Sequence, residues 1–305
     1  MLYQVYLGVM IFSQNILENK GDVIMFVSMK DMLLKAQKEG YAVPNFCIWN
    51  TEMLQGVMDA TEEAQAPIIL SFGSGFLDNT DINHFINMMI SMADKATVPA
   101  CIHWDHGRNF EIVSHAVDIG YTSIMIDASA QDFETNIKLT KEVVDKFHPL
   151  GIPIEAELGH VGAETIYEEA IATYGYTDPS QAAEFCERTG IDFLATAIGN
   201  QHGVYTSEPK INYPILEAVR AAVDIPLVLH GASGIGDEDI RKCIARGITK
   251  INIHTELCQA AMIAIDANQE KKLPYLKLQQ EVRKEVAKRA MEKIKLFGCY
   301  GKARG

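Results

Sequence analysis

The feature that most constrains the fold is an alternation, beginning near residue 41, between short apolar runs and longer amphipathic stretches. The apolar runs span 42–48, 67–72, 100–104, 123–127, 153–158, 193–198, 226–230 and 249–253. Runs that are apolar throughout are typical of parallel strands that helices cover on the outside. Eight such units in 305 residues predict an α/β fold, a closed (β/α)8 TIM barrel.

The stretches between these runs carry helix signals. The clearest helices are predicted at 51–65, 109–119, 134–147, 180–189 and 237–246. Several are followed by a glycine (Gly120, Gly190, Gly247), as helix C-termini prefer. A doubly wound open sheet would instead carry a glycine-rich fingerprint after its first strand. The turn at 48–52 reads IWNTE, which argues against that alternative.

The two ends of the chain differ in kind. Residues 1–24 lack the basic lead-in and the cleavage site of a signal peptide, and we interpret them as an extension outside the domain. A helix is predicted from the N-cap Ser28 to the stop signal Gly40. Apolar residues recur every four positions over 278–294, which predicts a long C-terminal helix. A single TIM-barrel domain over residues 25–305 follows.

Charge and cysteine content restrict the partners and the compartment. Acidic residues outnumber basic ones 40 to 27 without a basic stripe, which argues against nucleic acid and anionic membranes as partners. No run is long and apolar enough to cross a bilayer. The six cysteines form no CxxC pair, so free thiols in a cytoplasmic protein are expected. A phosphorylated small molecule would then be held by backbone amides, hydroxyls and a metal.

Polar residues concentrate where the predicted strands end, the face on which TIM barrels carry their active sites. The polar set comprises His103, Asp105, His106, Asp127, Glu155, Glu157, Asn200, His202, His230, Ser233, Asn252, His254 and Thr255. One histidine at a strand end is more often structural, but five on one rim favour a metal. Three neutral imidazoles with an open position form a normal catalytic zinc site.

The turn after the seventh predicted strand suits a phosphate group. It reads Gly-Ala-Ser-Gly over 231–234, and Asn-Ile-His-Thr follows at 252–255. Glycines let backbone N–H groups approach an anion, and hydroxyls add donors. Phosphate sites in barrels commonly follow strands 7 and 8, so the position strengthens a motif that is weak by itself.

At these residues the sequence resembles the class II (zinc-dependent) ketose-bisphosphate aldolases, the fructose- and tagatose-bisphosphate aldolase family, over nearly all of residues 26–303. The motifs that carry the resemblance are HWDHG (103–107), EAELG (155–159), YTDP (176–179), AIGNQHGVY (197–205), LHGASG (229–234), KINI (250–253) and FGCYGKA (297–303). The resemblance implies reversible, metal-dependent aldol cleavage of a ketose 1,6-bisphosphate, a reaction of carbohydrate metabolism and glycolysis. Fructose 1,6-bisphosphate is the first expectation, with dihydroxyacetone phosphate and an aldehyde such as glyceraldehyde 3-phosphate as products.

The resemblance also implies a metal centre. His106, His202 and His230 would bind Zn2+, or Co2+ or Fe2+, which imidazoles also accept. The ion would act as a Lewis acid on the oxygens of dihydroxyacetone phosphate. Asp105 would transfer the proton of the C4 hydroxyl. Glu157 would lie near an alternative metal position.

Further roles carried over from the family concern the substrate. Asn252 would contact the enediolate, and Glu164 would transfer a proton at C1 or C3. The substrate and its phosphate would contact Gly203, Gly231, Ala232, Ser233, His254 and Thr255. A monovalent cation (Na+ or K+) would accompany the phosphate. Family habit and the long terminal helix favour a homodimer or homotetramer.

Four residues depart from the family pattern. They are Cys47, where the family usually has Asn; Gly73, where it has a small hydroxyl residue; Thr165, where its flexible loop has a second acid; and His254, where it has Asp, Asn or a smaller residue. The residues expected to bind the metal and the phosphate therefore match the family pattern, whereas those expected to contact the aldehyde portion of the substrate differ from it. Tagatose 1,6-bisphosphate and 6-phospho-5-dehydro-2-deoxygluconate remain alternative substrates.

Three other functional classes are compared with the sequence. A metal-dependent hydrolase would carry an HxH pair on its first strand, which this chain lacks. A Schiff-base aldolase is disfavoured because Lys250 is predicted to begin strand 8, at the wrong end of the barrel. A non-catalytic sugar-phosphate-binding accessory subunit is favoured by the altered loop at Thr165. Retention of Asp105 beside the histidines argues against it.

Overall fold

The computed structural model of the chain describes residues 27–162 and 175–303. Eight parallel strands form a closed barrel in which each strand pairs with the next in sequence and β8 pairs with β1. The strands are β1 Val43–Cys47, β2 Ile68–Gly73, β3 Ala100–Gly107, β4 Ser123–Ile126, β5 Ile154–Leu158, β6 Phe193–Thr196, β7 Leu227–Leu229 and β8 Ile248–Ile253. The predicted (β/α)8 TIM barrel is confirmed.

Helices alternate with these strands and cover the barrel. In the described residues they are α1 Met29–Glu39, α2 Thr51–Ala64, α3 Ile82–Asp94, α4 Phe110–Ile119, α5 Phe133–Phe147, α6 Pro179–Thr189, α7 Tyr213–Ala222, α8 Asp237–Ala245, α9 Thr255–Asp266 and α10 Tyr275–Leu296. Ser28 caps α1 through its side chain, and Gly40 ends α1 in the left-handed conformation. The long terminal helix is α10. No helix in the described stretches combines the length and the apolar character that a membrane span requires.

The structure corrects the predicted elements in two respects. Strand β3 continues to Gly107, three residues beyond its apolar run, because its polar residues face partners inside the barrel. Helices α3, α7 and α9 were not among the clearest predicted helices. Residues 1–26, which include the predicted extension, lie outside the described residues.

The strands are buried on both faces, as predicted, but their polarity alternates. Side chains that face outward are apolar, such as Phe72 and Trp104, whereas many that face inward are polar. Contacts between strands that are not neighbours show this polar interior: Lys250 of β8 contacts Glu155 of β5, and Asn252 of β8 contacts Asp105 of β3. The prediction of continuously apolar strands was therefore right about burial and wrong about polarity.

Helix α10 lies against α2 and brings basic residues to the catalytic face. Gly56 of α2 permits the close approach, because a Cβ there would lie 2.7 Å from the carbonyl oxygen of Arg283. Near its C-terminal end, α10 places Arg289 and Lys293 against Glu256, which begins α9. This packing ties the terminal helix to the loops that follow β7 and β8.

Candidate active site

Three histidines from three different strand ends meet at the barrel mouth. His106 is the penultimate residue of β3, His202 follows β6, and His230 follows β7. The Nε2 atom of His106 lies 3.2 Å from Nε2 of His202 and 2.9 Å from Nδ1 of His230. Tetrahedral zinc with Zn–N bonds of about 2.0–2.1 Å separates its nitrogen ligands by about 3.3 Å. The spacing of the three rings fits one such ion.

The opposite nitrogen of each ring is held by an acceptor. His106 Nδ1 lies 2.8 Å from Asp127 Oδ2, His202 Nδ1 lies 3.0 Å from the carbonyl oxygen of Val161, and His230 Nε2 lies 2.8 Å from Glu155 Oε1. An N–H donated to each acceptor leaves the three facing nitrogens as lone pairs. Converging lone pairs repel each other unless a cation lies between them, and this arrangement is the one that metal-binding histidines use.

The backbone of His106 is strained in a way that aims its ring. Its φ is 49°, in the left-handed region that residues with a side chain rarely adopt. The β3–β4 register shifts between Trp104 and Gly107, so His106 occupies a bulge. Bulges redirect side chains beside active sites, and such strain costs about 1–3 kcal/mol. Sequence patterns gave no sign of this feature.

The electrostatics of the three rings suit a metal. Burial, followed by the neighbouring histidines, lowers the pKa of His202 to about 3, and burial lowers the pKa of His230. Both rings are neutral at pH 7. Burial also opposes charge on His106, but Asp105 and Asp127 outweigh it and raise the pKa of His106 to about 9. The carboxylates therefore favour a positive charge at this position, either a proton or a metal ion.

Glu157 forms a second group with His106 and Asp127, in which one ligand atom from each lies within 4.8 Å of the others. Glu157 Oε1 accepts hydrogen bonds from Ser129 Oγ and from the backbone N–H of Val161. Its Oε2 is buried without a hydrogen-bond partner in the described structure. Burial, then Asp127, raises the pKa of Glu157 to about 8. A cation at this position would satisfy both the charge and the lone oxygen, which fits the predicted alternative metal position.

Asp105 is buried beside the three histidines and is held by two neighbours. Asn252 Nδ2 donates to both of its oxygens at 3.0 and 3.2 Å, and the Cys47 thiol donates to Oδ2 at 3.4 Å. Burial alone raises the pKa of Asp105, but the electrostatic effects of His106, His230 and Lys250 outweigh it and hold that pKa well below its usual range. Asp105 is ionised at neutral pH, the state that accepts a proton.

A buried ion pair lies below the three histidines. Lys250 Nζ donates to both oxygens of Glu155, at 3.1 and 2.8 Å, and neither side chain is exposed. The Glu155 oxygen that contacts Lys250 at 3.1 Å also accepts from His230. The prediction that Lys250 begins its strand at the wrong end was wrong: it is the third residue of β8 and its side chain enters the barrel. Its pairing with Glu155 was not foreseen.

Three of the predicted phosphate-binding residues meet around one cavity. Gly203, Ser233 and Thr255 line a cavity of about 560 Å³, together with Gly234 and the basic residues of α10. Gly231 precedes this group with a φ of 58°, and a Cβ there would lie 2.2 Å from the carbonyl oxygen of Gln201.

The same turn is tied to the loop that follows β6. The hydroxyl of Tyr205 bridges the two segments: it accepts from the backbone N–H of Gln201 and donates to the carbonyl oxygen of Gly231. Ala232 is buried within the turn. The turn is therefore shaped by its backbone conformation and by the hydroxyl of Tyr205.

Within the described structure, one predicted site residue, His254, contacts these groups through its backbone alone. The backbone N–H of His254 donates to Ser233 Oγ at 3.4 Å, but its ring packs against Trp49 and Phe76 and not into the cavity beside the turn. Glu164 lies outside the described residues, as does Thr165.

Comparison with known proteins identifies the family. Residues 27–302 match the family model described as fructose-bisphosphate aldolase class II. The chain belongs to this family. The Escherichia coli K12 protein named uncharacterized protein YdjI is 64% identical over 268 residues, which are 88% of this chain and 96% of that protein. The fructose-bisphosphate aldolase of Staphylococcus aureus Mu50 is 40% identical over 289 residues, 91% of this chain and 99% of that enzyme.

A solved structure of an aldolase has a fold similar to that of this chain. The crystal structure of the YdjI aldolase from E. coli K12 matches with a TM-score of 0.84 and 56% identity, covering 92% of this chain and 100% of that chain. The resemblance read from the sequence motifs is confirmed. Class II aldolases are metal-dependent lyases that act on phosphorylated sugars, and the described residues contain groups that could hold a metal.

Proposed function

We propose that this chain is a zinc-dependent aldolase that reversibly cleaves a phosphorylated ketose into dihydroxyacetone phosphate and an aldehyde. The observation that carries the proposal is the convergence of three imidazole nitrogens, each with its opposite nitrogen held by an acceptor, directly beside Asp105. Bound zinc supplies a Lewis acid that polarises the ketose carbonyl and offsets the negative charge formed on cleavage.

The residues of the chain have separate tasks in this proposal. Asp105, ionised and fixed by Asn252, takes the proton of the C4 hydroxyl as the C3–C4 bond breaks, and returns it during condensation. Oδ1 of Asn252 is buried and has no hydrogen-bond partner in the described structure, so it is available to a substrate hydroxyl. Glu164 is assigned the proton transfer on dihydroxyacetone phosphate. Glu157 is assigned the alternative metal position.

The phosphate is assigned to the cavity lined by Gly203, Ser233 and Thr255, with backbone N–H groups of the 231–234 turn as donors. The arginine and lysine at the far side of this cavity already pair with Glu256, so backbone amides and hydroxyls would supply most of the binding. We assign a monovalent cation, Na+ or K+, to the same region.

The test measures both half-reactions on full-length protein. Zinc-loaded protein should exchange the C3 proton of dihydroxyacetone phosphate with deuterated water, lose this activity in EDTA, and regain it when zinc is added. A coupled assay for triose-phosphate release, with fructose 1,6-bisphosphate and tagatose 1,6-bisphosphate side by side, then identifies a bisphosphate substrate. Folded, zinc-loaded protein that exchanges no proton and cleaves neither ketose would contradict the proposal.

The altered residues Cys47, Gly73 and His254 keep tagatose 1,6-bisphosphate and 6-phospho-5-dehydro-2-deoxygluconate as candidate substrates. A non-catalytic sugar-phosphate-binding subunit is the alternative of another class, and Asp105→Ala separates it from an enzyme. An aldolase should lose turnover and keep its zinc, whereas a binding subunit should be unaffected. We also propose that the protein is cytoplasmic and that it forms a homodimer or homotetramer. Analytical ultracentrifugation can test the oligomeric state.

A further inference from the structure

Three aromatic side chains stand together at the barrel mouth, beside the metal and phosphate groups described above. Trp49 follows β1, Phe76 lies in the 3₁₀ turn after β2, and His254 follows β8. Their ring centroids are 5.1 Å apart for Trp49 and Phe76, 4.9 Å for Trp49 and His254, and 4.7 Å for Phe76 and His254. All three residues are only partly buried. We call this cluster the aromatic wall.

The aromatic wall borders the acid–base residue. Gly73 pairs with Asp105 in the β2–β3 register. A Cβ placed on Gly73 would lie 3.5 Å from Cε2 of Phe76 and 3.8 Å from the Cβ of Asp105. The space beside Gly73 is thus bordered both by the ring of Phe76 and by Asp105. The nearest edge of the wall is within reach of a substrate carbon that Asp105 serves.

Within residues 27–162 and 175–303, the groups described above leave one sector of the barrel mouth for the far half of the substrate. The phosphate-side turn follows β7 and the three histidines follow β3, β6 and β7. Glu157 and Ser129 occupy the mouth after β4 and β5. The remaining sector lies after β1 and β2, where the aromatic wall stands. Carbons beyond C4, whose hydroxyl is assigned to Asp105, extend from that residue toward this sector.

The chemistry of the wall suits an uncharged ligand. Over residues 27–162 and 175–303, the ring contacts and hydrogen bonds of Trp49, Phe76 and His254 involve no lysine or arginine. A phosphate dianion here would lose water and gain no cation from these contacts, and it would lie close to the ionised Asp105. Aromatic faces instead pack favourably against the C–H groups of a sugar chain.

We propose that the aromatic wall binds the aldehyde half of the ketose and selects a polyhydroxy aldehyde that carries no phosphate. The substrate class is therefore a ketose phosphorylated only at its dihydroxyacetone end. This inference rests on the proposed aldolase function, which supplies the dihydroxyacetone phosphate half.

The experiment compares condensation with proton exchange in the zinc-loaded, full-length protein. Condensation of dihydroxyacetone phosphate is measured with D-glyceraldehyde, D-erythrose and glyceraldehyde 3-phosphate, and proton exchange into dihydroxyacetone phosphate is measured in parallel. The wild type should have a kcat/KM for an uncharged aldehyde about tenfold above that for glyceraldehyde 3-phosphate. Phe76→Ala and Trp49→Ala should each lower condensation with the uncharged aldehyde about tenfold more than they lower proton exchange.

Conservative and control variants keep the test interpretable if an alanine variant folds poorly. Trp49→Phe keeps a ring in the wall and should recover most of the lost condensation. Tyr300→Ala removes an aromatic side chain near the C-terminus of α2, at the opposite end of the barrel, and should leave both reactions unchanged. Preference for glyceraldehyde 3-phosphate, or equal losses in both reactions, would overturn the inference while the aldolase proposal stands. Absence of proton exchange would overturn both.

Discussion

The buried pair of Glu155 and Lys250 offers a test that separates folding from metal binding. In Glu155→Gln the shape of the side chain is kept, but the carboxylate that faces Lys250 and His230 becomes a neutral amide. Lys250 Nζ lies 2.8 and 3.1 Å from the two carboxylate oxygens, and both side chains are fully buried. The variant therefore leaves the Lys250 ammonium inside the barrel without the carboxylate that contacts it.

The magnitude follows from this burial. Removing one partner of a buried ion pair typically destabilises a protein by about 3–5 kcal/mol, because the remaining charge has lost both water and its partner. His230 loses its charged acceptor at 2.8 Å, and such changes next to a metal ligand lower metal affinity by about 10–100-fold. The loss of stability and the loss of zinc affinity have different origins, and a second variant can separate them.

That second variant is Glu155→Gln combined with Lys250→Met, which removes both charges. It should regain most of the lost free energy of unfolding, because no unpaired charge is left, but it should not regain zinc affinity, because His230 still lacks its carboxylate. Urea denaturation of the metal-free proteins and zinc competition titrations supply the two measurements. A loss below about 1 kcal/mol in the single variant, or recovery of zinc affinity in the double variant, would refute the reasoning.

Three further predictions concern the turn and the metal. Gly231→Ala should destabilise the protein and impair phosphate binding, because its φ is 58° and the added Cβ would lie 2.2 Å from the carbonyl oxygen of Gln201. Gly236→Ala is the matched control, because a Cβ there would meet no atom within 4 Å. Equal melting temperatures for the two variants would contradict this account. Tyr205→Phe removes the hydroxyl that bridges the loops after β6 and β7. It should lower the free energy of unfolding, measured by urea denaturation, by about 1–2 kcal/mol and raise KM for the phosphorylated substrate. An unchanged KM would show that the bridge does not shape the phosphate site. Zinc affinity should rise with pH between about 6 and 8, by about tenfold per pH unit. The reason is that His106 in the metal-free protein has a pKa of about 9, so zinc must displace its proton. Competition titrations that show no pH dependence would contradict that charge state.

Much of the fold was predictable because its signals are local. Hydrophobic runs and capping residues depend on near neighbours in sequence, and the eight predicted strands and the limits of α1 were confirmed within one to three residues. The barrel itself follows from the number of units. The polar interior was not predicted, because a run such as that of β8 hides Lys250 among apolar neighbours and its partner Glu155 lies on a strand far away in sequence.

The candidate site divides in the same way. The concentration of histidines at strand ends pointed to His106, His202 and His230, and the structure brings their nitrogens together. The left-handed backbone of His106 could not be read from sequence, because it depends on the register between β3 and β4. His254 was expected among the substrate- and phosphate-binding residues, and its ring joins Trp49 and Phe76, which the closure of β8 onto β1 brings near.

The central claim is that His106, His202 and His230 hold one zinc ion through the three nitrogens that face each other. X-ray absorption at the zinc edge, on full-length protein loaded with one equivalent of zinc, tests it most directly. The account predicts three imidazole nitrogens at about 2.0–2.1 Å and no sulfur ligand, with loss of this pattern in His202→Ala. A spectrum that shows sulfur coordination, or one left unchanged by His202→Ala, would contradict it.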